Sequence, residues 1–111
     1  MNLFKPNAAS VASLFVLATS LATAQLDASA AEALMKKSGC STCHAVDKKL
    51  VGPTYKDISA KYRNAKGAEA GLVKKIKEGG KGTWGDVPMP PNAQLKDSDI
   101  KTMVEWILAL K

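Results

Sequence analysis

The chain has 111 residues, with 16 basic against 10 acidic side chains and a formal charge of +6. That length allows one domain and only a modest hydrophobic core, so a staple of some kind is expected. Two cysteines exclude a multiply cross-linked scaffold, and a single histidine excludes any site that needs two imidazoles from one chain.

The first stretch reads as an address. Lys5 supplies a short positive region, residues 8–21 are apolar or small, and Ala22, Thr23 and Ala24 form a small-residue cleavage site. This predicts a secretory signal peptide over residues 1–24, removed after Ala24, and a functional domain over residues 25–111. The rival reading is an uncleaved membrane anchor. A spanning helix needs about 20 apolar residues, and this run is shorter, so no stable anchor is expected. Export leads to an oxidising compartment, away from nucleic acid. The basic balance is therefore not read as a nucleic-acid signal.

Residues 29–38 predict a first helix. Ser29 and Glu32 have the spacing of a capping box, and Gly39 stands where a left-handed C-terminal residue is wanted. Ala31, Leu34 and Met35 share a face. The helix leads directly into Cys40, Ser41, Thr42, Cys43 and His44. Two thiols at this spacing, with an imidazole beside the second, read as a c-type haem attachment site. Each thiol can add across one haem vinyl group, and the two intervening residues span the distance between vinyls. His44 can then reach the iron from below the ring. Five residues can match by chance, so the remainder of the chain must supply a pocket and a distal group.

Residues 45–52 predict a charged loop, closed by the Gly52–Pro53 turn. Thr54 and Asp57 start a short helix carrying Tyr55, Ile58 and Tyr62 on one side. After a break at residues 64–67, residues 68–78 predict a third helix with Leu72, Val73 and Ile76 inward. Lys74, Lys75 and Lys77 complement its C-terminal dipole. Glycines at 79, 80 and 82 end it. Residues 84–92 exclude regular structure, because Pro88, Pro90 and Pro91 remove backbone donors and fix φ. A last helix begins near Asp97, with Ile100, Met103, Val104, Ile107 and Leu108 at helical spacing and Trp106 beside them. No strand pattern, repeat or low-complexity tract is visible. The fold class is all-α.

The distal candidates are methionine, lysine, water or nothing. Met1 leaves with the signal peptide. Met35 and Met103 lie on apolar helix faces, where a thioether usually fills core space. Met89 lies 45 residues after His44, long enough to pass a haem edge, and prolines stiffen the chain on both sides of it. It is the preferred distal ligand. The bland alternative is a loop methionine that only packs.

The stretches 39–44, 51–53 and 84–92 resemble the short bacterial class I cytochromes c, the cytochrome c-551 type, and the similarity runs over essentially all of residues 25–111. The resemblance implies a small fold of about four helices wrapped around one covalently attached haem c, with the N- and C-terminal helices crossing near Met35, Gly39 and Trp106. It implies His44 and Met89 as axial ligands to iron. It also implies that the Pro53 carbonyl accepts the other His44 ring N–H, that the Trp84 indole donates to a haem propionate, and that Asn92 lies near the Met89 sulfur. Where the family often has an arginine near a propionate, this chain has Lys75, which cannot form a bidentate clamp. Each has a plainer alternative: core wall for Trp84, turn residue for Pro53, local backbone cap for Asn92, solvated charge for Lys75.

The expected function is one-electron transport between respiratory redox partners in the periplasm, with no enzymatic reaction. Lys36, Lys37, Lys48, Lys49, Lys56, Lys61 and Lys81 can steer acidic partners such as a respiratory reductase or oxidase into a transient contact. The protein is expected to be monomeric. Three rivals share the same residues. A haem enzyme or gas sensor would keep the sixth position open. A thiol–disulfide oxidoreductase would need a βαβ context. A structural zinc site would need a fourth strong ligand.

Overall fold

The structure, a computed structural model, describes residues 12, 13, 15 and 28–111. Apart from those first three positions, the expected signal peptide lies outside the described residues.

Among the described residues four helices form in order: α1 (Ala28–Lys37), α2 (Tyr55–Tyr62), α3 (Ala68–Glu78) and α4 (Asp97–Ala109). A single 3-10 turn, Cys40–Thr42, follows α1. Helix α4 is the hub, packing against α1, α2 and α3. It supplies Ile100, Met103, Val104, Trp106 and Ile107 to a core completed by Ala31, Met35, Tyr55 and Ile58. Ala31, Ile100 and Val104 are fully buried. The helical spacing of these apolar residues is what brings them to one side.

Local chemistry explains most boundaries. Thr54 is extended and its Oγ1 accepts the Asp57 N–H at 2.9 Å, which starts α2. Gly39 has φ 80°, the left-handed conformation predicted for the end of α1, and turns the chain into the cysteines. The capping box at Ser29 does not hold. Helix α1 begins at Ala28, so Ser29 and Glu32 both lie inside it; alanine is a strong helix former and carries the helix past the expected cap. Helix α4 begins at Asp97 with no side-chain cap. Asp97 and Asp99 favour its N-terminal dipole instead, and the Lys77 ammonium pairs with Asp97.

The C-terminus is tied back to α2. The Ser59 hydroxyl, fully buried, donates to the Leu110 carbonyl at 2.7 Å, and Arg63 Nη1 donates to the same oxygen at 3.0 Å. These donors satisfy carbonyls that the end of a helix leaves unpaired.

Helix α3 is different. None of its residues is fully buried. Leu72, Val73 and Ile76 are only partly covered, although the sequence pattern turns them inward. One side of α3 thus borders open space. Within it, Gly71 faces solvent, and a methyl group there would meet nothing within 4 Å. Gly71→Ala should therefore stabilise the folded protein by about 0.5–1 kcal/mol, through reduced freedom of the unfolded chain. Guanidinium denaturation of the two proteins reads this directly; an unchanged or lower midpoint would contradict the open environment of that site.

Candidate haem site

The open space beside α3 is a cleft of about 320 Å³. Its apolar wall includes Met35, Leu72, Ile76, Met103, Val104 and Ile107, and Cys40, Cys43, His44, Pro53, Trp84 and Met89 line the same space. The residues singled out from sequence thus converge from three separate stretches of chain. Asn92 is not among those lining the cleft.

The thiols arrive on the 3-10 turn. Its backbone is closed by Cys43 and His44 N–H groups donating to the Cys40 carbonyl, at 3.1 and 2.9 Å. Both cysteines are half-buried and neither is in a disulfide. Burial pushes the Cys40 thiol up; its own backbone hydrogen bond opposes this, and the neighbouring Cys43 adds to the rise.

His44 is fixed from two sides. Its Nδ1 lies 2.7 Å from the Pro53 carbonyl. A carbonyl can only accept, so Nδ1 carries the proton and a neutral ring keeps its lone pair on Nε2. Gly52 lies against the ring. A methyl group on Gly52 would stand 2.6 Å from Cε1 and 3.0 Å from Nδ1 of His44. The Gly52 N–H donates to the Cys43 carbonyl at 2.8 Å, which closes the loop between the motif and the proline. Tyr55 stacks on the imidazole, ring centroids 5.5 Å apart and planes inclined by 26°.

Met89 is held by its own backbone. Its N–H donates to the Gly80 carbonyl at 2.8 Å, and its carbonyl accepts from the Gly80 N–H at 3.0 Å. This isolated antiparallel bridge is regular pairing inside the stretch expected to have none. The prolines account for it: residues 88, 90 and 91 lack donors, so pairing is confined to the methionine between them. Gly79 has φ 68°, and a side chain there would collide with the Met89 carbonyl and with Pro90 and Pro91. Close approach of the two segments requires glycine.

The remaining predicted residues divide. Trp84 is 46% exposed, and the Lys61 ammonium sits 5.7 Å from its ring centroid and equally far from that of Tyr62. Lys75 lines the cleft and lays its Nζ over Gly80, 2.7 Å from where a methyl group would be. Asn92 uses its side-chain amide to donate to the carbonyls of Ile76, at 3.2 Å, and Pro90, at 3.3 Å. Its backbone N–H also donates to Ile76, at 3.0 Å. Its donors tie the methionine loop to the C-terminal end of α3.

Sequence reasoning missed the ring contact of Tyr55, the packing of Gly52 under the imidazole and the Gly80 bridge. Tyr55 was visible as a core residue and Gly52 as half of a turn signal. Their contacts with His44 depend on how residues 45–53 fold back, which no periodicity encodes. Met35 and Met103 were correctly placed in the core, and they also line the cleft.

An all-α chain with this cleft and two thiols beside an oriented imidazole matches one class of protein. Residues 28–111 match the cytochrome c family. The chain is 54% identical over 77 residues to cytochrome c-551 of Allochromatium vinosum, covering 69% of this chain and 82% of that protein. It is 46% identical over 102 residues to cytochrome c-551 of Pseudomonas aeruginosa, covering 87% and 97%. The crystal structure of wild-type Nitrosomonas europaea cytochrome c552 superposes with a TM-score of 0.69 at 49% identity, covering 72% of this chain and 99% of that one. The chain belongs to the cytochrome c family, of the class I c-551 type. It carries one haem c, bound covalently through Cys40 and Cys43, and it is a monohaem electron carrier.

The cleft suits that group. Its wall is largely apolar, α3 keeps a half-covered face toward it, and a nitrogen lone pair and a thioether are both present at its lining. Because Gly52 leaves no room for a side chain, Gly52→Ala should displace His44 or the loop beneath it. The expected loss is about 1–3 kcal/mol of holoprotein stability, the usual range for overpacking, measured by guanidinium denaturation. Unchanged stability would show that the ring does not rest on Gly52.

Proposed function

We propose that the chain is a periplasmic carrier whose haem iron is held axially by His44 and Met89, passing single electrons between respiratory partners. The observation that carries this reading is the His44 ring: with Nδ1 committed to the Pro53 carbonyl at 2.7 Å, the remaining nitrogen has a free lone pair. Met89 lines the same cleft and is anchored through both of its backbone groups.

Haem bound here supplies a one-electron Fe(III)/Fe(II) couple. The protein's own groups set its direction. A thioether stabilises ferrous iron better than a second imidazole does, which raises the potential. The apolar wall penalises the additional charge of the ferric state and acts in the same sense. The Pro53 carbonyl opposes them in part, since accepting the Nδ1 proton makes the imidazole a stronger donor. Met89, held by a paired backbone, would supply a second ligand to the iron and so favour electron transfer over catalysis.

Trp84, exposed at the mouth of the cleft, is available to donate to a propionate through its indole N–H. Lys75 supplies a positive charge on the same lining. The placement of Asn92 supports a different role from the one expected: it braces the methionine loop through backbone carbonyls.

Lys36, Lys37, Lys48, Lys49, Lys56, Lys61 and Lys81 are all exposed, and Lys49 and Lys81 stand at the cleft itself. This positive rim would attract an acidic reductase or oxidase into a short-lived encounter, with an ionic-strength-dependent rate. The signal-like start of the sequence supports export to the periplasm. Among the described residues no helix is long and apolar enough to cross a membrane, and a monomer suffices for the proposed role.

The axial assignment is tested by Met89→Ala. Loss of the thioether should leave a high-spin haem that binds CO rapidly when reduced at neutral pH. A variant that stays low-spin and refuses CO would overturn Met89 as a ligand and favour another sixth group.

A further inference from the structure

The Tyr55 hydroxyl has no part in the proposed electron transfer. The residue is 5% exposed, and its phenolic oxygen is buried without a hydrogen-bond partner. Native proteins seldom leave such a group unmatched, because it has lost its water and gained nothing. Nor is it free to turn away. The ring stacks on His44 and meets Trp106 edge-on, with centroids 5.7 Å apart and planes at 75°. Its backbone N–H donates to the Ala45 carbonyl at 2.9 Å, and that of Lys56 donates to Val46 at 3.1 Å. The start of α2 is therefore tied by its backbone to the loop that follows the haem-attachment motif, and the Tyr55 ring is held by His44 and Trp106.

We infer that Tyr55 is a positioning residue for the haem, its O–H donating to the thioether sulfur that Cys40 forms on attachment. Cys40 packs against the same core cluster as Tyr55, and both line the cleft. A phenol carries an O–H donor at neutral pH, so the hydroxyl can donate to an acceptor beside it. Attachment changes what Cys40 offers. A thiol brings its own weak donor, whereas a thioether sulfur can only accept. Drawing electron density from that sulfur disfavours ferric haem, so the hydrogen bond raises the reduction potential while holding the macrocycle against His44.

The inference rests on haem attachment at Cys40 and on the electron-carrier reading. Tyr55→Phe keeps the ring, its stack on His44 and its edge contact with Trp106, and removes only the oxygen. If the hydroxyl is bonded in the holoprotein, the variant should unfold at lower denaturant concentration and show a lower reduction potential. If it is unbonded, its removal should leave the midpoint unchanged or raise it, and that result overturns the inference. Proton NMR of the reduced wild-type holoprotein gives the direct view. It should contain a slowly exchanging phenolic proton with cross-peaks to the Cys40 β-protons, missing in the variant. No protected proton, or cross-peaks to propionate methylenes only, would also overturn it. A pyridine haemochrome of the wild type separates the two failures: without covalent haem the carrier reading falls as well, and with a normal haemochrome only the role of Tyr55 does.

Discussion

The hydrogen bond from His44 Nδ1 to the Pro53 carbonyl, 2.7 Å long, is the constraint on which the site depends. A free imidazole divides its proton between two nitrogens and rotates about two bonds. Here one tautomer is selected because a carbonyl accepts and cannot donate. Gly52 beneath the ring and Tyr55 stacked on it leave little rotational freedom. The Nε2 lone pair thereby has one fixed direction, so a ligand role for His44 would carry little ordering cost. The same loop explains why Gly52 and Pro53 occur together: one leaves room for the ring and the other supplies the acceptor.

The remainder of the molecule is arranged around the cleft. Helix α4 gathers α1, α2 and α3 into a small core, yet α3 contributes no fully buried residue to it. A domain of this size buries too little apolar surface to be comfortably stable by itself. Covalent haem c would supply an apolar body to the cleft that Leu72, Ile76, Met103 and Ile107 line. Stability and function are thus joined at one place. Conditions that loosen the Met89 loop should be felt first at the cleft, because that loop is held by one two-residue bridge and by Asn92 rather than by a helix.

Helix positions were legible in the sequence because they follow from periodicity and punctuation. Residues 68–78 carry three apolar positions at helical spacing between two glycine breaks, and α3 occupies that range. Asp97 was legible as the start of α4 from its charge at the dipole's positive end. Ser29 misled, since a capping-box spacing competes with the strong helix propensity of Ala28 and loses. At the site, the convergence of Cys40, Cys43, His44 and Met89 on one cleft was legible because residue type and spacing both limit the chemistry. Gly80 and Tyr55 were not, as their importance lies in contacts made by loops after folding. The bonds of Asn92 to the Ile76 and Pro90 carbonyls were not legible, because they depend on how the methionine loop folds back onto α3.

The central claim, that one imidazole nitrogen and one thioether grip the iron, is tested most directly by X-ray absorption at the iron edge of the purified ferric protein. The account predicts a first coordination shell of five nitrogens and one sulfur. A shell of nitrogen and oxygen alone would contradict it, whatever the haem content of the protein.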